Sequence, residues 1–248
     1  MLRSAITAFR TLTILPVPGR DTDTMASSLP WFSVVGLALG AMLYAITCGI
    51  LCLASDFPAV AGVTFITASA WLTRGLHLDG LADCADGFGG GQRDKTRILA
   101  IMKDPHLGSF GVITLVIVLI LQCCVVTRLA SSDRLLWIVV AVILSRVMMV
   151  DMSVTLPYAR AEGGTGGSFV AGARRRHLVA ALLTAALAIW ALDPHTGKYL
   201  IGLPPAWLLT RILAIHCRRR IGGVTGDLLG ATSVIIETTV LIIGALLP

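Results

Sequence analysis

The chain has 248 residues, of which 56% are hydrophobic and 14% charged, with a mean hydropathy of +0.84. A soluble domain carries about 25% charged residues, so this composition argues against a soluble globule, a disordered chain or a disulfide-stapled secreted domain. The formal charge of +6 reads as basic cytoplasmic loops of a membrane protein, with no nucleic-acid partner. Only helices and closed barrels satisfy their backbone in lipid, and long unbroken apolar runs favour helices. The expected fold is therefore all-α: one integral membrane domain over 1–248, a polytopic helical bundle in the lipid bilayer.

At the N-terminus Leu2, Ala5, Ile6, Phe9 and Leu12 recur at helical spacing, with Arg3 and Arg10 on other faces. This predicts an interfacial helix, ended by Pro16 and Pro18. No cleavable signal peptide is expected. Seven apolar runs follow as predicted spans, at 31–53, 58–76, 109–127, 135–156, 177–192, 199–217 and 229–247, about the number the length allows at roughly 20 apolar residues per crossing. The short run 177–192 is compatible with a re-entrant helix. Lys and Arg alternate between the connections: 15 fall on the face that carries the N-terminus and 3 on the other, with Arg146 and Arg211 inside spans. The positive-inside rule places the N-terminus in the cytoplasm and the C-terminus across the membrane. No internal repeat is evident. The six cysteines form no C-x-x-C pair and read as small hydrophobes.

One polar segment dominates, His77-Leu78-Asp79-Gly80-Leu81-Ala82-Asp83-Cys84-Ala85-Asp86-Gly87-Phe88-Gly89-Gly90-Gly91. Asp79, Asp83 and Asp86 lie at i, i+4 and i+7, on one helical face near the cytoplasmic end of the second predicted span. Stacked like charges repel unless a cation sits among them, and carboxylates without thiolates select a hard ion such as Mg²⁺. The glycines at 87 and 89–91 permit close approach of backbone N–H groups to an anion, or form a bare turn. Arg93 and Lys103 are candidate clamps on a phosphoryl group, whereas Lys95 and Arg97 read as topology determinants. Asp104 and His106 are the nearest further titratable groups. Arg146, Asp151, Arg211 and Glu237 are charges within spans, which face a partner or a cavity; Arg146 or Arg211 can pair with Glu237. His177, His195 and His216 lack metal-ligand spacing and read as interface residues. Gly163-Gly164-Thr165-Gly166-Gly167-Ser168 reads as a flexible linker.

The block H-L-D-G-L-A-D-x-x-D-G at 77–87, followed by Met102-Lys103-Asp104 and Gly108-Ser109-Phe110-Gly111, resembles the cobalamin synthase family, the adenosylcobinamide-GDP ribazoletransferases. Leu12 to Pro18, Trp31 to Gly36, Pro157 to Gly163 and Thr225 to Ala231 resemble its other motifs, and the Gly163–Gly167 run is a departure from them. The resemblance implies a Mg²⁺-dependent transferase in the cytoplasmic (inner) membrane of a bacterium, its active-site loops cytoplasmic. Its substrates would be a corrinoid, adenosylcobinamide-GDP, and α-ribazole or its 5′-phosphate, with GMP released. Asp79, Asp83 and Asp86 would hold the metal, Arg93, Lys103 and Arg160 the phosphates, and His77 or Asp104 would take the proton. Asp227 would bind metal or substrate. A homo-oligomer is compatible with this reading. The competing readings are a transporter, which would place its acids nearer the midplane, and a CDP-alcohol-type phosphotransferase, whose D-x-x-D-G opening is shared at Asp83 to Gly87 but whose later acidic pattern is absent.

Overall fold

The computed structural model describes residues 1–247. Among these there are eleven α-helices and no sheet: α1 Leu2–Leu12, α2 Phe32–Leu53, α3 Ala59–Leu72, α4 Leu76–Gly90, α5 Lys95–Ile101, α6 Ser109–Ser131, α7 Trp137–Thr155, α8 Thr165–Ala171, α9 Arg175–Leu192, α10 Leu203–Ile221 and α11 Gly226–Leu246. Six are long and apolar enough to cross a membrane: α2 with the 3₁₀ turn before it, α6, α7, α9, α10 with the 3₁₀ turn before it, and α11. The helix α9 has the length of a full span. The seventh predicted span is α3, with 14 residues. At 1.5 Å per residue that is about 21 Å, short of a hydrocarbon core of about 30 Å.

The second predicted span also ends earlier than its hydropathy indicates. Arg74 and Gly75 both take left-handed backbone, at φ 54° and 68°, and break the helix between Leu72 and Leu76. The acidic segment therefore sits on a helix of its own, α4. The Arg74 guanidinium donates to the Arg10 carbonyl at 2.8 Å, and the Ile14 N–H to the Leu72 carbonyl at 2.7 Å, so this break is tied to α1. The buried face of α1 passes through Ser4, Ile6, Thr7, Ala8 and Leu12, and Leu2 is exposed. The face is rotated from the apolar stripe because Thr7 and Arg10 bond to Asp21 and fold the following loop back over the helix.

Helix α7 is the central post, with every residue from Trp137 to Ser153 buried. Helices α2, α9, α10 and α11 pack around it, while α4 lies on α11 and α6. Small residues permit close contact, as expected where lipid tails are as apolar as the helices. A Cβ on Gly36 would stand 2.9 Å from Ile143 Cα, and one on Gly40 2.9 Å from Val139 Cα. The α4–α11 contact is equally tight: a Cβ on Gly80 would come 2.6 Å from the Asp227 carbonyl oxygen, and one on Gly230 3.3 Å from His77 Cα. Large apolar side chains remain exposed along α6 (Ile113, Ile117, Ile120), α9 (Leu183, Leu187) and α10 (Leu208, Ile212), the lipid-facing surfaces of the bundle.

Charges inside the bundle are paired. Arg146 and Glu237 approach to 3.6 Å with both side chains buried, and Arg146 also donates to Ser233. Arg211 pairs with Asp151. All six cysteines are free thiols. His177 Nδ1 accepts the Arg174 N–H at 3.2 Å at the start of α9, and His216 meets Phe88 edge-on at 5.0 Å. Replacing Gly80 by Ala should lower the unfolding midpoint of the detergent-solubilised protein, with an overpacking cost of about 1–3 kcal/mol. Gly49→Ala, where an added Cβ meets nothing within 4 Å, should leave the midpoint unchanged or raise it by the usual helix preference for Ala; a thermal scan distinguishes the two.

Candidate functional site

Two connections meet above α4. The segment after α7 carries Pro157-Tyr158-Ala159-Arg160, and the segment before α11 carries Gly223-Val224-Thr225. They pair as a short parallel bridge, the Ala159 N–H donating to the Val224 carbonyl and the Val224 N–H to the Pro157 carbonyl, each at 2.9 Å. Glycine is required here, since a Cβ on Gly223 would stand 2.1 Å from the Pro157 carbonyl oxygen. Thr225 then caps α11, its Oγ1 accepting the Leu228 N–H at 3.3 Å. The bridge delivers Arg160 to Asp227, where the guanidinium donates to the carboxylate at 2.6 Å; both side chains are about four-fifths buried, at 18% and 22% exposure.

The acidic face of α4 lies against this pair. Asp79 is exposed and Asp83 half-buried. Burial pushes the Asp83 carboxyl up to about 6, with further upward contributions from Asp79, Asp227 and Asp86 that Arg160 partly offsets. Asp86 is buried and accepts the Gly108 N–H at 2.8 Å and the Gly111 N–H at 2.9 Å, anchoring the start of α6. That contact explains two glycines of the downstream motif, because a Cβ at Gly108 or Gly111 would stand 2.3 or 2.4 Å from an Asp86 oxygen.

The donor chemistry fits a hard divalent cation. The cluster offers carboxylate oxygens, while the neighbouring Cys84 thiol is buried among Phe88, Cys217 and Leu228. Among the described residues no three His, Cys, Asp or Glu side chains are already gathered into a complete metal site. Mg²⁺ takes one or two carboxylates, with the rest of its shell from phosphate oxygens and water.

Two cavities meet at Arg160. One, of about 430 Å³, is bordered by His77, Asp79, Tyr158, Phe169 and Asp227. The other, of about 370 Å³, is bordered by Lys95, Lys103 and Glu162, with Lys103 paired to Glu162 at 3.2 Å. A sequence model described as cobalamin-5-phosphate synthase matches residues 4–245. The chain belongs to this family.

Similar proteins of the cobalamin-5-phosphate synthase family share its full length. A protein of Chlorobium phaeobacteroides called adenosylcobinamide-GDP ribazoletransferase is 43% identical over 249 residues, covering 99% of this chain and 98% of that protein. One from Chlorobium chlorochromatii with the same name is 44% identical over 248 residues, covering 100% and 97%. One from Syntrophobacter fumaroxidans, again so named, is 38% identical over 242 residues, covering 94% of each. No solved structure matches.

The structure brings together Asp79, Asp83, Arg160 and Asp227, with His77 and Lys103 at the two cavities. It does not bring Arg93 or Asp104 to them. Arg93 sits in the exposed turn beyond α4 and borders neither cavity. Asp104 is exposed and bonds His106 through its Nδ1 at 2.6 Å and its N–H at 2.9 Å, contacts that hold the Asp104 carboxyl below its usual range. Lys95, read from sequence as a topology determinant, borders the second cavity. Phe169 directly follows the apparent linker and carries no signal of its own in the sequence. Gly163 and Gly164 do take left-handed backbone, but the chain then forms α8, whose Gly166 and Gly167 pack on the Tyr158 ring.

Because the Asp83 carboxyl is raised to about 6 from an unfolded value near 3.9, the folded chain binds the proton more tightly than the unfolded one between these values. Folding stability contributed by this group therefore falls as pH rises from about 4 to above 6. In metal-free buffer the wild-type unfolding midpoint should fall more over this interval than that of Asp83→Asn, as read by thermal scans across pH.

Proposed function

We propose that this chain is an adenosylcobinamide-GDP ribazoletransferase. It joins the corrinoid donor to α-ribazole or its 5′-phosphate in the last steps of cobalamin nucleotide-loop assembly. The observation that carries this reading is the acidic face of α4 set against the Arg160–Asp227 pair, in a chain that matches the family over residues 4–245. Phosphoryl transfer needs positioning and charge neutralisation more than covalent chemistry, and this site offers both.

Asp79, Asp83 and Asp86 would hold Mg²⁺; each Asp86 oxygen accepts one backbone N–H and keeps further acceptor capacity. When bound, the ion supplies neutralising charge on the diphosphate oxygens and on the departing GMP. Arg160 and Lys103 hold the phosphates; Arg93 reaches them only by rearrangement of its exposed turn. A ribose hydroxyl of the acceptor attacks the phosphorus that bears cobinamide. One phosphorus–oxygen bond forms, the bond to GMP breaks, and the hydroxyl proton passes to a base. His77 suits this role better than Asp104, because it borders the cavity shared with Asp79, Arg160 and Asp227 and neither ring nitrogen has a hydrogen-bond partner. The six apolar spans support residence in a membrane. The 15-to-3 asymmetry of basic residues, counted with the short helix α3 as a seventh crossing whose end returns to α1, supports a cytoplasmic membrane with the site facing the cytoplasm.

Purified protein given GDP-cobinamide and α-ribazole 5′-phosphate should release GMP with Mg²⁺ and stop when the ion is chelated. Asp83→Asn should cut the rate by about 100-fold or more while the protein still inserts into membranes. Unchanged turnover in that variant, or under chelation, would remove the metal assignment; absence of GMP from the wild-type protein would remove the reaction.

A further inference from the structure

The cavity of about 430 Å³ has two unlike sides. Arg74 and Asp79 on its border are exposed, whereas Leu12, Phe32 and Phe169 are buried at 1%, 2% and 5%. Phe32 and Phe169 meet edge-on, with ring centroids 5.8 Å apart. Tyr158 stands beside them, its ring held by α8: a Cβ on Gly167 would be 3.1 Å from that ring, and one on Gly164 2.6 Å from the hydroxyl. Gly166 keeps α8 close to the start of α11, where an added Cβ would meet the Gly226 nitrogen at 2.9 Å. An aromatic recess thus opens directly beside the carboxylates and Arg160.

We propose that this recess is the subsite for the acceptor's flat aromatic base, with the attached ribose turned toward Asp79, Arg160 and Asp227. The assignment rests on the ribazole transfer proposed above and adds where the acceptor binds. At about 430 Å³ the cavity has the volume of a small-molecule site. Its outer border at Thr11, Arg74, Leu76 and Asp79 is shared with an open cavity of about 600 Å³, room that a corrin, far larger than the recess, would need. Guanine requires polar partners along its hydrogen-bonding edge, and the buried wall offers mainly hydrocarbon and rings. A benzimidazole-type base presents an apolar edge and a π-face; the partly exposed Tyr158 ring offers a face to it, and the nearly covered Phe32 and Phe169 rings form the apolar floor. The second cavity carries Lys95 and Lys103 and suits the phosphates of the nucleotide instead. Since Arg160 borders both cavities, acceptor and leaving nucleotide flank the same guanidinium, as a displacement at phosphorus between them requires. His77, buried and without a partner, then borders the cavity that holds the nucleophilic hydroxyl.

The test is calorimetric titration of α-ribazole into the purified full-length protein in detergent, paired with steady-state kinetics. Phe169→Ala should weaken α-ribazole binding about tenfold or more, and raise the KM for α-ribazole 5′-phosphate in parallel. The KM for GDP-cobinamide should stay unchanged. Unchanged α-ribazole affinity in a monodisperse Phe169→Ala protein overturns the subsite, as does a rise confined to the donor KM. If that variant aggregates, Phe169→Leu should show a smaller loss in the same direction, and unaltered affinity there counts equally against the proposal. Wild-type protein that binds α-ribazole but releases no GMP would support the recess while overturning the reaction assigned to the chain; wild-type protein that does not bind it overturns the recess.

Discussion

Helix α4 rests on α11 almost backbone to backbone, because Gly80 and Gly230 carry no side chain where the two helices cross. The consequence is chemical as well as steric. At this separation the carboxylates of α4 and the carboxylate of Asp227 share one region, and Asp83 is burdened by both. Like charges brought so close are unfavourable by themselves, so the arrangement is sustained by packing elsewhere and by the cation Arg160. The bridge between Ala159 and Val224 sets that cation in place, and it too depends on a missing Cβ, at Gly223. Three glycines therefore permit the close approach that brings these carboxylates and this cation together.

Beneath the site the interior is polar in a controlled way. Arg146, Glu237, Ser145 and Ser233 form a bonded group between α7 and α11, and Arg211 joins Asp151 between α10 and α7. Such pairs gain little over apolar packing, but removing one partner leaves a stranded charge, so they favour one register of the central helices. A polar cavity of about 20 Å³ next to this group borders His77 as well. Helix α4 thus borders this polar group through His77, while the turns around Arg93 and Asp104 are exposed.

Much of this was legible in the residues. Hydropathy located the six long helices, and helical spacing put Asp79, Asp83 and Asp86 on one face. The departures have local physical causes. Hydropathy does not register that Arg74 and Gly75 adopt left-handed backbone, so the second span was read as running into the acidic segment. Spacing also does not show that Asp86, on the same face as Asp79 and Asp83, accepts the Gly108 and Gly111 N–H groups and so anchors the start of α6. Glycine-rich composition at 163–168 reads as a linker, yet Gly164, Gly166 and Gly167 let the chain and α8 lie on Tyr158 and α11.

The sequence by itself determined the solvent, the helical class and the chemical character of the charged segments. These follow from the cost of exposing polar backbone to lipid and from the scarcity of charge in the chain. Tertiary structure decided which charges meet. Arg160 and Asp227 are 67 positions apart, and their pairing depends on a bridge and on close helix contacts that no local pattern encodes. It also decided that aromatic rings from α2, α8 and the loop after α7 wall a single recess, since shape between distant elements arises only when their surfaces pack.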